Sequence, residues 1–272
     1  MTNGVDFARA AAQVESIAPK LGDFAAHVPR SATVLSTVSS WALVAAQYRT
    51  VLDPTASDPD TWDDFQIAAD AGTAMFEAAQ HAKGEEITVR VMGERTTTAT
   101  GPTSNANAGR WLTTVWLAVI TRQQHLVERL CAVPVEVLRA SGAEHGPFTY
   151  PWQEMVRAFL TGGEISPDLV AAAIDGTEDA EPRDHVQLVV YPQIVLLYQV
   201  LRRDEDKVNN FLRRAVDAHR EYWTSLERAT SPDGLVALGP LAIAVLARRV
   251  GLDVTVESEY LPQNLLTGDR PR

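Results

Sequence analysis

The chain has 272 residues, of which 46% are hydrophobic and 22% are charged, and its formal net charge is −11. A chain of this length can bury a large core, and none of its apolar runs reaches the roughly 20 residues that a membrane-spanning helix needs. The acidic balance argues against direct binding of nucleic acid, because phosphate binding needs a basic face, and it favours a basic protein partner.

The amino-terminal residues 1–15 have neither the basic region nor the apolar region of a secretory signal, so we expect a cytoplasmic protein without a membrane partner. Beyond them, apolar residues recur at helical spacing and Pro or Gly clusters divide the chain into segments of ordinary helical length. Residues 53–60 and 175–184 resemble linkers, but neither is long enough to impose a domain boundary. These patterns predict an all-α fold in one domain, residues 1–272.

Residues 61–80 form the first clearly amphipathic pattern, with Asp63, Asp70 and Glu77 along an acidic outer stripe of the third helix. Paired acids on such a helix also occur in the metal sites of all-α isoprenoid synthases. Those enzymes need a second acidic motif, and the only later candidate, from Lys207, carries arginines instead. We therefore predict no metal site and no cofactor.

One short β-hairpin is predicted near residues 85–99, where Ile87 and Val89 alternate with polar residues ahead of a Thr-rich return. A lone hairpin is marginal in water, so it must pack on the helices or project as an arm. Its exposed acids would be Glu85, Glu86 and Glu94.

The stretch at 104–118 combines a polar turn with a helix that carries Trp111 and Trp116. Asn105, Asn107 and Gly109 are suited to shaping the turn that opens the helix, and two indoles at helical spacing define a buried face. Further on, residues 186–201 and 235–247 are almost wholly apolar and predict two largely buried central helices. Pro192 and Pro240 should each bend or restart their helix.

Residues 204–228 give the cleanest helical periodicity and place His219 on the apolar face, next to Tyr222 and Trp223. An imidazole in that position could act as a general base, although a hydrogen-bonded core histidine is the simpler interpretation, and no second catalytic group can be named. We therefore predict a protein that is not an enzyme. In the tail, Tyr260 should dock on the core.

Several ordered blocks of the chain resemble the Immunity 49 family: ANAGRWLTTVWLA at 106–118, RLCAVPVEVLRASGA at 129–143, HREYW at 219–223, and DGLVALGPLAIAVLA followed by VESEYLPQNLL within 233–266. The resemblance is strongest over 104–266. Its matching positions are mostly aromatic, Gly, Pro and apolar, as a shared core requires: Asn107, Gly109, Trp111, Trp116, His219, Tyr222, Trp223, Gly239, Pro240, Tyr260 and Pro262. The resemblance implies an all-α immunity protein of bacterial polymorphic-toxin systems, which binds and blocks a cognate toxin domain. It carries over no catalytic residues.

A toxin that acts as a nuclease would be basic, and acidic side chains would steer its association. The hairpin acids and the third-helix acids are two candidate contact surfaces. The third, and our first choice, is the segment 164–184, which is expected to be a loop and holds seven acids, among them Asp175, Glu178, Asp179 and Glu181.

Two other functions remain open from the sequence. One is a small-molecule-binding helical protein with a pocket lined by Trp111, Trp116, Tyr191 and Trp223. The other is an all-α enzyme that uses His219 as a base.

Overall fold

A computed structural model describes residues 5–271. The fold is predominantly all-α, as predicted. Its helices are α1 (Phe7–Ala26), α2 (Val34–Leu52), α3 (Pro59–Gln80), α4 (Ala108–Ile120), α5 (Gln124–Cys131), α6 (Val135–Arg139), α7 (Thr149–Thr161), α8 (Pro167–Asp175), α9 (Arg183–His185), α10 (Tyr191–Leu201), α11 (Glu205–Trp223), α12 (Leu238–Arg249) and α13 (Gln263–Thr267). A π-helix, Val186–Val190, joins α9 to α10, and a 3-10 turn, Pro232–Gly234, precedes α12.

Short polar side chains open several of these helices. Asn107 accepts a hydrogen bond from the Arg110 amide at 3.0 Å, as the polar turn before α4 predicted. Asp6 and Asp204 do the same for the amides three residues beyond them. Each cap satisfies one of the amide groups that a helix leaves unpaired at its start.

The core is centred on α4. Trp111 is fully buried, and its indole N–H donates to the Leu130 carbonyl at the end of α5, at 2.8 Å. Neighbouring helices α3, α5, α7 and α12 all pack against α4. One hydrophobic cluster of buried side chains extends from Ile17 in α1 to Leu266 in α13.

The two apolar segments are central, but only one is buried throughout. Every residue from Gly239 to Ala247 in α12 is buried. In the other segment, burial is concentrated in α10 from Ile194 to Val200, whereas the π-helix is half-buried. Pro240 lies in the first turn of α12, which confirms that it restarts a helix, whereas Pro192 directly follows the π-helix in a helical backbone that continues from α9 into α10.

The predicted hairpin is present as β1 (Glu86–Arg90) and β2 (Glu94–Thr98), an antiparallel pair in which Glu86 lies opposite Thr98. Ile87 and Val89 are buried. The Thr97 hydroxyl donates to the Val28 carbonyl at 2.6 Å, just beyond the end of α1. The hairpin therefore packs on the helices and does not project as an arm.

The expectation of a loop over 164–184 is wrong for its central part, which is helix α8. Ser166 caps this helix by accepting from the Leu169 amide, and Pro167 and Asp168 occupy its first turn. Ser, Pro and Asp in this order form a strong helix start, and the flanking glycines concealed it. Within the segment, the residues before α8 and those between α8 and the start of α9 are irregular. None of the described helices combines the length and apolarity needed to span a membrane.

Gly72 allows α3 to approach α4 closely. A Cβ at this position would lie 2.7 Å from both Oγ1 and Cγ2 of Thr114, in the buried core. We expect Gly72→Ala to lower the free energy of unfolding by about 1–3 kcal/mol, because an added methyl group overpacks this contact. Denaturant titration followed by circular dichroism measures the effect.

The matched control is Gly22→Ala in α1, where a Cβ meets no atom within 4 Å. This variant should be more stable by about 0.5–1 kcal/mol, because alanine is the better helix former. Similar effects of the two substitutions would contradict the close contact at Gly72.

Candidate functional site

A cavity of about 400 Å³ lies between α2, α4, α7, the π-helix and the start of α12. Its volume is within the range of small-molecule pockets. The lining combines aromatic and aliphatic side chains with a few polar groups, and includes Leu43, Gln47, Gly109, Leu112, Thr113, Trp116, His145, Phe148, Trp152, His185, Val189, Val190, Gln193, His219, Trp223, Asp233, Leu238, Gly239 and Pro240.

Indole rings form much of the cavity wall. The rings of Trp116 and Trp152 lie 6.1 Å apart at an angle of 48°, a favourable tilted contact. Trp223 lines the cavity from α11. Two of the four residues that the sequence suggested for an aromatic pocket are therefore not part of the cavity lining: Trp111 is buried away from the cavity, and Tyr191 does not line it. Trp152 takes part instead, and nothing in its local sequence indicated that.

His219 is almost completely buried in this wall. Its Nε2 lies 3.1 Å from the Gly234 carbonyl, which can only accept, so the bond needs a hydrogen on Nε2. The ring packs against Tyr260 at 5.2 Å. Burial lowers the pKa of His219 to about 4. An imidazole with this pKa is a weak base near neutral pH, and the geometry fits a hydrogen-bonded core histidine.

Two further histidines reach the cavity, and neither was singled out as a cavity residue from the sequence. Burial lowers the pKa of His185 and of His145, so their neutral forms are favoured as well. The His145 Nε2 is buried and has no hydrogen-bond partner. Among residues 5–271, no three side chains of the metal-binding types are grouped to hold an ion.

Two glutamines, the buried Gln47 and the half-buried Gln193, also line the cavity. Gln47 is 2% exposed; its Nε2 lies 3.4 Å from Asp233 Oδ1, whereas its Oε1 is buried and has no partner. Gln193 donates to the Val189 carbonyl at 2.8 Å. A Cβ at Gly239 would lie 2.0 Å from Gln193 Oε1, so the glycine makes room for this amide.

A separate surface surrounds α8. Asp175, Glu178, Asp179 and Glu181 are all exposed there. Asp175 lines a groove between α8 and α10, of about 590 Å³, whose other lining residues include Ile165, Val170, Ile174, Tyr198, Leu201 and Arg202. Of the four predicted contact acids, Asp175 lines this apolar groove, and the other three lie in the exposed segment that follows α8.

The acids of the other two predicted surfaces are arranged differently. On α3, Asp63 pairs with Arg270 at 2.6 Å, Glu77 pairs with Arg129, and Asp70 is half-buried, with its pKa raised by burial. On the hairpin, Glu86 and Glu94 are exposed. Glu85 accepts from His81 at 2.9 Å, and this hydrogen bond lowers the pKa of Glu85.

The sequence model of the family described as Immunity protein 49 matches residues 53–265, more than three quarters of the chain. The chain belongs to this family. No curated protein and no solved structure matches it.

The residues that carry the resemblance to the Immunity protein 49 family divide between the core and the cavity. Lining the cavity are Gly109, Trp116, His219, Trp223, Gly239 and Pro240. The others have packing or capping positions: Asn107 caps α4, Trp111 and Tyr260 are buried, Tyr222 lies against Trp223, and Pro262 precedes α13.

The low pKa of His219 makes folding stability depend on pH. Above pH 6.5, His219 is neutral in the folded and the unfolded protein, and its contribution to the free energy of unfolding is fully present. As the pH falls toward 4, His219 is protonated in the unfolded chain but stays largely neutral in the folded protein. The resulting loss should reach about 3 kcal/mol at pH 4. We expect His219→Gln to remove this part of the pH dependence, measured by urea unfolding at several pH values.

The control is His27→Gln, since His27 is exposed at the end of α1. This variant should keep the pH dependence of the parent protein. If His219→Gln and the parent lose stability in parallel between pH 6.5 and 4, the buried neutral state of His219 is refuted.

Proposed function

We propose that this protein is a non-catalytic immunity protein that binds a basic toxin domain and blocks its activity in the cytoplasm. Membership of the Immunity protein 49 family supports a toxin as the partner. A net charge of −11 supports a basic one, possible examples being toxins that act as nucleases.

The proposed contact surface consists of the α8 groove and the acids Asp175, Glu178, Asp179 and Glu181. The observation that carries this choice is that Asp175 lines an apolar groove and that Glu178, Asp179 and Glu181 are exposed in the segment directly after α8. Protein interfaces commonly combine an apolar centre, which contributes most of the affinity, with a polar rim that steers association. The half-buried Ile165 and Ile174 would form the centre.

Within residues 5–271, none of these four acids forms a salt bridge. Glu178 contributes only its backbone carbonyl to a contact with Arg183, and Glu181 accepts a hydrogen bond from the Arg183 amide. On α3, by contrast, Asp63 and Glu77 already pair with arginines of the same chain. A partner would have to displace those arginines first, so the α3 acids are the weaker candidates.

Protection is tested in cells by co-expressing the protein with the toxin encoded beside its gene. The parent protein should restore growth. The triple variant Glu178→Lys, Asp179→Lys, Glu181→Lys should lose protection, and its association rate with the purified toxin should fall at least about tenfold, since opposite charges at the rim accelerate encounter. Surface plasmon resonance at two salt concentrations measures the rate.

A second triple variant, Glu15→Lys, Asp23→Lys, Glu136→Lys, changes the net charge equally on α1 and α6, away from the groove. It should bind like the parent protein, and thermal unfolding should show both triples folded. Unchanged binding by the first triple would reject the α8 surface, and failure of the parent protein to restore growth would reject the toxin partner.

A further inference from the structure

We propose that the cavity beside α4 binds a small planar aromatic molecule that carries a protonated amidine or amine. Its lining and the lining of the α8 groove have no residue in common. The site is therefore distinct from the proposed toxin surface, and the proposal does not depend on toxin binding.

The walls of the cavity favour a ligand with a flat, apolar ring. Trp116, Trp152, Trp223 and Phe148 line it, together with aliphatic side chains from the π-helix and α12. Tryptophan faces bind planar rings by stacking and attract cations through their negative π-faces. An aliphatic chain would use neither property of these rings.

The buried side-chain oxygen of Gln47 lacks a hydrogen-bond donor. Its Oε1 is enclosed, has no hydrogen-bond partner, and belongs to a side chain that is 2% exposed. A buried acceptor without a partner is destabilising, and a ligand N–H at this position would remove that cost. The nearby Asp233 carboxylate, 3.4 Å from Gln47 Nε2, is exposed and provides a second acceptor toward solvent.

The charge of the lining selects against anions. Among the described residues, no Lys or Arg lines the cavity, and Asp233 is the charged group that does. Burial favours the neutral forms of His145, His185 and His219. A phosphate or carboxylate would meet no counter-charge, whereas a cation would meet a carboxylate and three indoles.

The π-helix supports the assignment of a site. It contributes Val189 and Val190 to the lining, and the Gln193 amide occupies the space left by Gly239. π-helices are rare and are frequently found at functional sites. The competing explanation is that ordered water fills the cavity and satisfies Gln47.

Three probes of the same shape but different charge test the proposal: benzamidine, benzamide and benzoate. We expect the full-length protein to bind benzamidine at least about tenfold more tightly than benzoate, with benzamide between them, in calorimetric titration and ligand-observed NMR. Quenching of tryptophan fluorescence should accompany binding, because three indoles line the site.

Two variants locate the binding. Gln47→Leu keeps the side-chain size but removes the acceptor, so it should weaken the affinity for benzamidine at least about fivefold. Thr113→Trp should abolish benzamidine binding, because the larger side chain fills the cavity. The control Tyr191→Leu, outside the cavity, should bind like the parent protein. Thermal unfolding identifies any variant that does not fold, and Thr113→Trp keeps the test informative if Gln47→Leu fails.

The proposal is overturned if no probe binds up to about 10 mM, if benzoate binds as tightly as benzamidine, or if both cavity variants bind like the parent protein. The first outcome is the one expected for a cavity that holds only water.

Discussion

Burial of α4 is the constraint on which the rest of the fold depends. Trp111 hydrogen-bonds the end of α5, and Arg157 from α7 lies 5.1 Å from its ring. One turn further on, Trp116 contacts Trp152 of α7. On the opposite side Thr114 meets α3 at Gly72, where a side chain would not fit. Three of the neighbouring helices, α3, α5 and α7, are thus held by specific contacts to α4, and none of the three can shift without breaking one.

The cavity exists because packing around α4 is incomplete near its start. The π-helix changes the helical register between α9 and α10, so the half-buried Val189 and Val190 face this space without filling it. Gly239 then admits the Gln193 amide in place of a larger apolar contact. Interiors of proteins are normally close-packed, and a mostly apolar space with a few polar groups is what binding pockets share.

Sequence periodicity and capping residues were sufficient for much of the fold. They predicted α3, α4, α11 and α12, the hairpin and the polar turn that opens α4, because each depends on residues close together in the chain. The cavity could not be predicted in this way. Gln47 and Trp152 come together only in the tertiary structure, and whether the Gln47 carbonyl oxygen has a partner depends on side chains more than a hundred residues away. The start of α8 at Ser166 could have been predicted from its capping residues, but the flanking glycines and acids favoured the prediction of a loop.

The two candidate surfaces differ in how freely their residues can change. The acids beside α8 are exposed, and substitutions at such positions usually alter stability by less than about 0.5 kcal/mol. The cavity residues also hold the core together: His219 bonds the Gly234 carbonyl, and Gly239 accommodates Gln193. A substitution in the cavity therefore changes the packing of the core as well as the binding of any ligand. The proposed toxin surface beside α8 can therefore change with little effect on stability, whereas the chemistry of the cavity depends on the same residues that hold the fold together.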